Sequence, residues 1–243
     1  MMSKQAVLNA RKRRLALSKE LEITMTLIRS SFVLLQRGRP YHPHPPHFAF
    51  MLLLTSGLER LMKILLMLHE YATTGQFLTE QQMKKRGHDL TKLRDDVITR
   101  CFTPIYLAHP HAQNDYDFLL HDPLFEEILS ILTQFANRDR YLYLNAISDP
   151  DKLWNPPDRL WDQLESKAIG QQRLGELLVT NQLDVRKQEA TKHLLSTLER
   201  GVRAFARLFI LANLGDDAQG QINEVWEFFR LDDTALGTRL YEF

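Results

Sequence analysis

The stretch KKRGHDLTKL, residues 84–93, joins a basic run to a glycine and a His-Asp pair, and then continues with leucines at helical spacing. Gly87 lets the backbone bend, and His88 or Asp89 can satisfy free backbone amides where a helix begins again. The two leucines then face inward from the new helix. The stretch therefore predicts a tight turn that joins two packed helices.

Apolar residues recur every three or four positions through most of the remaining sequence, which is typical of amphipathic helices. Prolines and glycines separate these periodic segments. The alternation of apolar and polar residues that marks a half-buried strand is not sustained anywhere, so the sequence predicts an all-α fold. The predicted helices span residues 4–36, 47–71, 80–102, 123–137, 158–182, 185–214 and 221–230.

Segments rich in proline, asparagine and aspartate divide the predicted helices into two regions. We predict a helical bundle over residues 1–150, with an insertion at about residues 103–122 that forms a loop or a lid. Residues 151–243 form a helical extension with a long hairpin from about Asp158 to Leu214. We expect this extension to pack on the bundle or to form a dimer interface.

The charge and cysteine content of the 243-residue chain limit its class. Its 31 basic and 30 acidic residues leave a net charge of +1, so a nucleic-acid site would have to be a local patch. Cys101, the only cysteine, cannot form an intramolecular disulfide, which fits a reducing compartment. Charged residues interrupt the most apolar segment, residues 48–68, so a membrane span is not expected. We expect a cytoplasmic protein without membrane association.

Motifs for common cofactors and metals are missing from the sequence. It contains no Gly-rich phosphate loop, nucleophile elbow, zinc-protease helix or paired zinc cysteines. Two groups that contain histidines lack ordered ligand spacing, and we interpret both as loop residues. We therefore expect neither a cofactor nor a bound metal. The two groups are His42, His44 and His47, and His109, His111, Asp115, Asp117 and His121.

Glu59 and Lys63 lie four positions apart in the apolar segment GLERLMKILL, and the sequence Gly-His-Asp-Leu-x2-Leu follows after a short turn. This combination resembles the HEPN superfamily, helical domains named for their occurrence in higher eukaryotes and prokaryotes and for nucleotide binding. The resemblance covers roughly residues 49–147 and implies an up-and-down helical bundle that is frequently dimeric. Such proteins are common in prokaryotic toxin-antitoxin and antiviral systems. The residues that the resemblance assigns to the helix junction are Glu59, Lys63, Gly87, His88 and Asp89.

Many HEPN proteins are metal-independent RNases, whose signature is an arginine and a histidine with four to six residues between them. The matching segment here is RDRYLYLN, in which Arg138 begins the motif and Tyr143 occupies the first position where histidine is required. A tyrosine with an ordinary pKa of about 10 is a poor base at neutral pH. The resemblance therefore implies an inherited site in which catalysis has been lost. Arg186 and His193, two helical turns apart, form the alternative catalytic pair.

Basic residues cluster around the predicted turn and around the RDRYLYLN segment. If the two segments fold close together, they form a phosphate-binding patch with tyrosines for base stacking. A solvated basic face is the alternative interpretation. The candidate nucleic-acid-binding residues are Lys84, Lys85, Arg86, Lys92, Arg94, Arg138, Arg140, Tyr141 and Tyr143.

The sequence thus leads to one preferred function and two alternatives. We expect a HEPN-like, RNA-associated protein of a bacterial defence or toxin-antitoxin type, without catalytic activity, that forms a homodimer and binds RNA and a protein partner such as an antitoxin. The first alternative is a catalytically silent helical module that binds a protein or a small ligand. The second is a metal-independent endoribonuclease that uses a non-standard site.

Overall fold

The computed structural model describes residues 4–37, 47–149 and 157–242. All regular elements in these ranges are helices, which confirms the predicted all-α fold. Short 3-10 turns lie at Asp139–Tyr141 and Asp233–Ala235. The helices are α1 (Lys4–Arg37), α2 (His47–Thr74), α3 (Glu80–Lys85), α4 (Leu90–Cys101), α5 (Pro104–Leu107), α6 (Pro110–His121), α7 (Pro123–Asn137), α8 (Leu142–Ser148), α9 (Pro157–Ile169), α10 (Gln171–Val179), α11 (Leu183–Leu211), α12 (Asp216–Gln219) and α13 (Ile222–Phe229).

Two predicted helices are divided at glycines with left-handed backbone geometry. Gly87 has a φ of 65° and separates α3 from α4, as the glycine turn in the sequence predicts. Gly170 has a φ of 85° and separates α9 from α10, whereas the sequence pattern predicts one continuous helix over residues 158–182. A right-handed helix cannot continue through either conformation.

The loop predicted at residues 103–122 is wrong, because this segment forms α5 and α6, while its role as an insertion or lid stays a prediction. Pro104 and Pro110 occupy first-turn positions, where the missing amide hydrogen costs no helical hydrogen bond. Phe118 and Leu119 are buried, and α6 packs against α4 and α11. The prolines here begin helices rather than ending them.

Helix α2 forms the centre of the core and packs along α1. Gly57 permits their close approach, since a Cβ atom there would lie 2.6 Å from Cγ1 of Ile28. Helices α4, α7, α9 and α11 contact other parts of α2. Leu54, Leu61 and Leu65 are fully buried in this arrangement, and burial of one leucine side chain contributes about 1.5–3 kcal/mol.

The hairpin formed by α9, α10 and α11 shares the core of the bundle. Trp161 of α9 packs edge to face on Phe50 of α2, with ring centroids 4.7 Å apart. Phe205 and Phe209 of α11 are fully buried in the same core. The division of the chain at residue 150 stays a prediction.

Helix α1 is also joined to the C-terminal part of the chain. The Ser18 hydroxyl donates a hydrogen bond to Glu224 at 3.0 Å, and Arg29 donates one to Glu227 at 3.0 Å. These contacts connect one face of α1 to α13, while α1 packs most extensively on α2 and also touches α11. No helix among the described residues is both long and apolar enough to span a membrane.

Candidate nucleic-acid interface

The carboxylate of Glu59, on α2, lies between two basic side chains, one on α2 and one in the turn before α4. Lys63 Nζ donates a hydrogen bond to Glu59 Oε1 at 2.7 Å, and His88 Nδ1 lies 2.9 Å from Glu59 Oε2. Burial disfavours the charged carboxylate, but the hydrogen bonds from Lys63 and His88 outweigh this effect and lower the pKa of Glu59. The three side chains therefore connect α2 to the turn before α4.

Asp89 is the N-cap of α4. Its carboxylate accepts a hydrogen bond from the amide of Lys92 at 3.1 Å and another from the hydroxyl of Thr91 at 2.6 Å. Burial disfavours this carboxylate too, but these hydrogen bonds lower the pKa of Asp89. Gly87 supplies the bend, so the GHD sequence forms a capped turn in which each residue has a local role.

Two contacts between the antiparallel helices α4 and α7 bring the RDRYLYLN segment to the same end of the bundle as the turn before α4. The amide of Leu90, in the first turn of α4, donates a hydrogen bond to the hydroxyl of Thr133 near the end of α7 at 2.9 Å. Arg94 of α4 contacts Glu126 near the start of α7. The segment after α7 thus lies beyond the start of α4. We call residues 84–94 and 138–145 together the junction end.

Most cations before and within α4 are paired with nearby carboxylates. Lys84 lies 2.6 Å from Glu80, and Lys92 lies 3.2 Å from Asp89. Arg86 contacts Asp96 through its guanidinium group. These pairs reduce the positive potential that the sequence predicts for this segment.

Arg94 does not belong to the predicted basic patch. Its side chain is only 7% exposed and lies between Asp95, at 2.7 Å, and Glu126. The apolar neighbours at three-residue and four-residue spacing place Arg94 on the inner side of α4. Its charge therefore stabilises the contact between α4 and α7 rather than attracting a ligand.

Three predicted cations at the junction end form no ion pair within the described residues. Lys85 and Arg138 are exposed, and Arg140 is partly buried. The Nε atom of Arg140 is buried and has no hydrogen-bond partner in the described part of the chain. These side chains remain able to bind an anion.

Aromatic and apolar side chains are exposed beside these arginines. Tyr141 is 60% exposed and Tyr143 is 51% exposed, and Leu144 and Ile147 continue the exposed face along α8. The Tyr143 hydroxyl donates a hydrogen bond to Asp158 at 3.2 Å. The sequence predicted the tyrosines but not Leu144, Ile147, Thr133 or Asp158, whose roles depend on tertiary contacts.

The candidate catalytic residues do not form an acid-base pair. Burial, and then the carboxylate of Asp158, raise the pKa of Tyr143, which keeps its hydroxyl protonated at neutral pH. Neither Arg138 nor Tyr143 forms a hydrogen bond or ion pair with a histidine within the described residues. The geometry therefore offers no base at the position that the HEPN signature requires.

The alternative pair is separated along α11. Arg186 Nη2 donates a hydrogen bond to Ser166 Oγ of α9 at 3.0 Å, while His193 is exposed. Seven residues of helix separate their Cα atoms by a rise of about 10 Å. Arg186 is thus occupied in the hairpin contact.

The histidine groups form no metal centre in the described ranges, where no cluster of three or more His, Cys, Asp or Glu side chains could hold a metal ion. His42 and His44 lie outside the described residues, and His47 is buried at the start of α2. Asp115 is buried and paired with Arg207, so its carboxylate is already occupied.

No known protein family matches the chain, and no curated protein or solved structure is significantly similar to it. The resemblance to the HEPN superfamily therefore rests on the motif residues alone. A proposal for the function has to rest on the chemistry of the described side chains.

Proposed function

We propose that this protein is a HEPN-like, RNA-associated protein that binds RNA at the junction end without cleaving it. One observation carries the proposal: Tyr141 and Tyr143 are exposed beside Arg138 and Arg140, and neither arginine has a carboxylate partner in the described part of the chain. Surfaces that bind single-stranded nucleic acid combine aromatic faces with cations in this way.

Each component of this surface has a defined chemical role toward a single strand. An exposed aromatic ring stacks on a base and contributes about 1–3 kcal/mol per base. A guanidinium group binds two phosphate oxygens at once, and a lysine such as Lys85 adds a mobile positive charge. Because the other cations before α4 are paired, stacking supplies a large share of the affinity, and the salt dependence is modest.

The protonation of Tyr143 supports the proposed lack of cleavage. General-base catalysis requires a group that accepts a proton near neutral pH, and the raised pKa of Tyr143 moves it away from that range. The resemblance further supports a role in bacterial defence or a toxin-antitoxin pair, in the cytoplasm, as a homodimer with an antitoxin-like partner.

The experiment measures binding and cleavage of labelled single-stranded RNA at low and moderate salt. Tyr141→Ala and Arg138→Ala should each lower the affinity about 5-fold to 100-fold, the loss expected for one stacked base or one charged contact. Trp226→Ala removes an exposed aromatic residue on α13 and serves as the matched control. Affinity that is unchanged in both junction variants would refute the proposed site. RNA cleavage that His193→Ala abolishes would establish the RNase alternative instead.

A second candidate function, binding of a protein partner, is favoured by the apolar face of α8. Ile147 is 77% exposed and Leu144 is 63% exposed, next to the exposed tyrosines. Adjacent apolar side chains of this kind favour a protein contact that salt does not weaken. Self-association or partner binding that Ile147→Asp abolishes, with RNA affinity intact, would support this candidate.

A further inference from the structure

A cavity of about 510 Å³ lies between α6, the middle of α11 and the segment after α13. Arg200, Arg203 and Arg207 contribute to its wall from α11, where spacings of three and four residues place them on one helical face. Arg230, the residue that ends α13, lines the cavity from a second direction. Four guanidinium groups thus line one cavity that is open to solvent.

Two of these arginines are held in place by carboxylates. Arg207 Nη1 contacts both carboxylate oxygens of Asp115, at 2.9 and 3.0 Å, and Asp115 is almost fully buried. Arg203 donates a hydrogen bond to the carbonyl of Leu231 at 2.8 Å and lies 2.6 Å from Asp233. Both side chains therefore have fixed positions at the cavity wall.

Donor capacity remains in the cavity after these contacts are made. Arg203 is 96% buried, since its exposed fraction is 4%, and its Nε atom has no hydrogen-bond partner among the described residues. Arg200 lies over the ring of Phe118, 4.4 Å from the centroid. Neither Arg200 nor Arg230 forms an ion pair within the described ranges. Two guanidinium groups thus have no carboxylate partner in the described ranges, and one buried N–H of Arg203 has no acceptor there.

The acidic residues in the wall do not cancel this capacity. Asp232 accepts hydrogen bonds from the amide and the hydroxyl of Thr234, at 2.8 and 2.7 Å. The Arg203 guanidinium, with smaller effects from Arg200 and Arg207, lowers the pKa of Asp233. Both carboxylates are engaged by groups of the protein.

We propose that this cavity binds a phosphomonoester, with Arg200 and Arg230 as the principal ligands and Arg203 as a third donor. A phosphomonoester carries a charge of about −1.5 to −2 and three acceptor oxygens, which suits several arginines better than a carboxylate does. Ligand pockets have volumes of roughly 300–1000 Å³, so the cavity has room for a mononucleotide. Phe229, Leu231 and Leu236 supply an apolar wall for the organic part.

Two sources could provide this group: a free mononucleotide, or the 5′-phosphate at the end of an RNA strand. Titration calorimetry of the full chain with AMP, with a 5′-phosphorylated RNA hexamer and with the same hexamer carrying a 5′-hydroxyl separates them. Equal affinities for AMP and the phosphorylated hexamer identify the free nucleotide. A phosphorylated hexamer that binds more tightly than both other ligands identifies the RNA end.

The test of the site itself uses the Arg200→Gln/Arg230→Gln double variant. We expect it to lower the affinity for the phosphorylated ligands about 10-fold to 100-fold, because charge-assisted hydrogen bonds are lost. The Arg11→Gln/Lys12→Gln double variant removes the same charge from an exposed part of α1, outside the lining of the cavity, and should leave AMP binding unchanged. Circular dichroism and thermal melting verify that both variants remain folded.

Two results would overturn the proposal: no binding of AMP or the phosphorylated hexamer at millimolar concentration, or equal binding by the wild type and the Arg200/Arg230 double variant. The proposal does not depend on RNA binding at the junction end. Tyr141→Ala tests the junction end, and the Arg200→Gln/Arg230→Gln double variant tests the cavity, so the failure of one site is distinguishable from the failure of the other.

Discussion

The junction end and the arginine cavity are both rich in cations, but their acidic partners come from different distances along the chain. At the junction end, Lys84 pairs with Glu80 on the preceding helical turn. In the cavity, Arg207 pairs with Asp115, which is 92 positions away in the sequence. Local pairs are formed wherever the helix forms, whereas the cavity pair exists only after α6 and α11 have packed together.

This difference has an energetic and a functional consequence. Exposed pairs between close neighbours contribute about 0–1 kcal/mol and mainly reduce the local potential. A buried pair between distant helices fixes the position of a guanidinium group, and removing one partner leaves an uncompensated charge. The cavity can therefore present additional arginines in a fixed geometry, while the junction end depends on its exposed aromatic rings.

The largest expected effect is at the buried pair. Asp115→Ala leaves the guanidinium group of Arg207 without its carboxylate, and we expect the free energy of unfolding to fall by about 3–5 kcal/mol. Urea denaturation at pH 7 measures this change. Glu80→Ala, which removes the exposed partner of Lys84, is the control and should change stability by less than about 0.5 kcal/mol. Equal losses in the two variants would show that the two regions do not differ as described.

A smaller effect is expected at the N-cap of α4. Asp89→Ala removes the side-chain acceptor for the Lys92 amide and should cost about 1 kcal/mol. Asp89→Asn keeps an N-cap acceptor but loses the ion pair with Lys92, and it should retain most of the stability. If thermal melting shows the same loss for both variants, the charge rather than the cap stabilises this junction.

The pH dependence of the junction provides the next test. The pKa of Glu59 is lowered in the folded state, so its contribution to stability is present above the ordinary value of 4.5 and disappears as the pH falls through the lowered pKa. At pH 7 the free energy of unfolding of the wild type should exceed that of Glu59→Gln by about 1 kcal/mol or less. Urea titrations from pH 7 to pH 3 should show this difference vanish. A difference that grows on acidification would contradict the lowered pKa.

The smallest effect is expected at Lys84 itself. Lys84→Ala removes half of an exposed pair and should change the free energy of unfolding by less than about 0.5 kcal/mol. Glu80→Gln frees Lys84 from its partner and should slightly strengthen RNA binding, because one more cation faces solvent. RNA affinity that falls in Glu80→Gln would show that Lys84 needs its partner in order to contact the strand.

The sequence alone predicts those parts of the fold that depend on short-range chemistry. Helix α7 lies at residues 123–137 as predicted, because Pro123 occupies its first turn and Asp122 caps it. Gly87 and Asp89 likewise mark the turn and cap before α4. The prolines of residues 103–122 misled the prediction, since the same residue type starts a helix or excludes one according to its position.

The chemistry of both candidate sites depends on contacts that no local pattern contains. Arg94 belongs to a basic run in the sequence, but the approach of Glu126 from α7 turns it into a structural ion pair. The spacing of Arg200, Arg203 and Arg207 was visible on one helical face, yet a solvated face shows the same pattern. Only the packing of α6 and of the segment after α13 onto α11 places these arginines in the wall of a cavity.

The contacts of α1 determine when the protein can complete its fold during synthesis. Helix α1 can pack on α2 as soon as both have left the ribosome, but Glu224 and Glu227 are 206 and 198 residues from their partners in α1. The face of α1 that contacts α13 therefore stays uncovered until α13 has been translated. Contacts over such separations slow folding and prolong the exposure of apolar surface. A nascent chain stalled before α13 should consequently bind chaperones more strongly than a chain that includes α13.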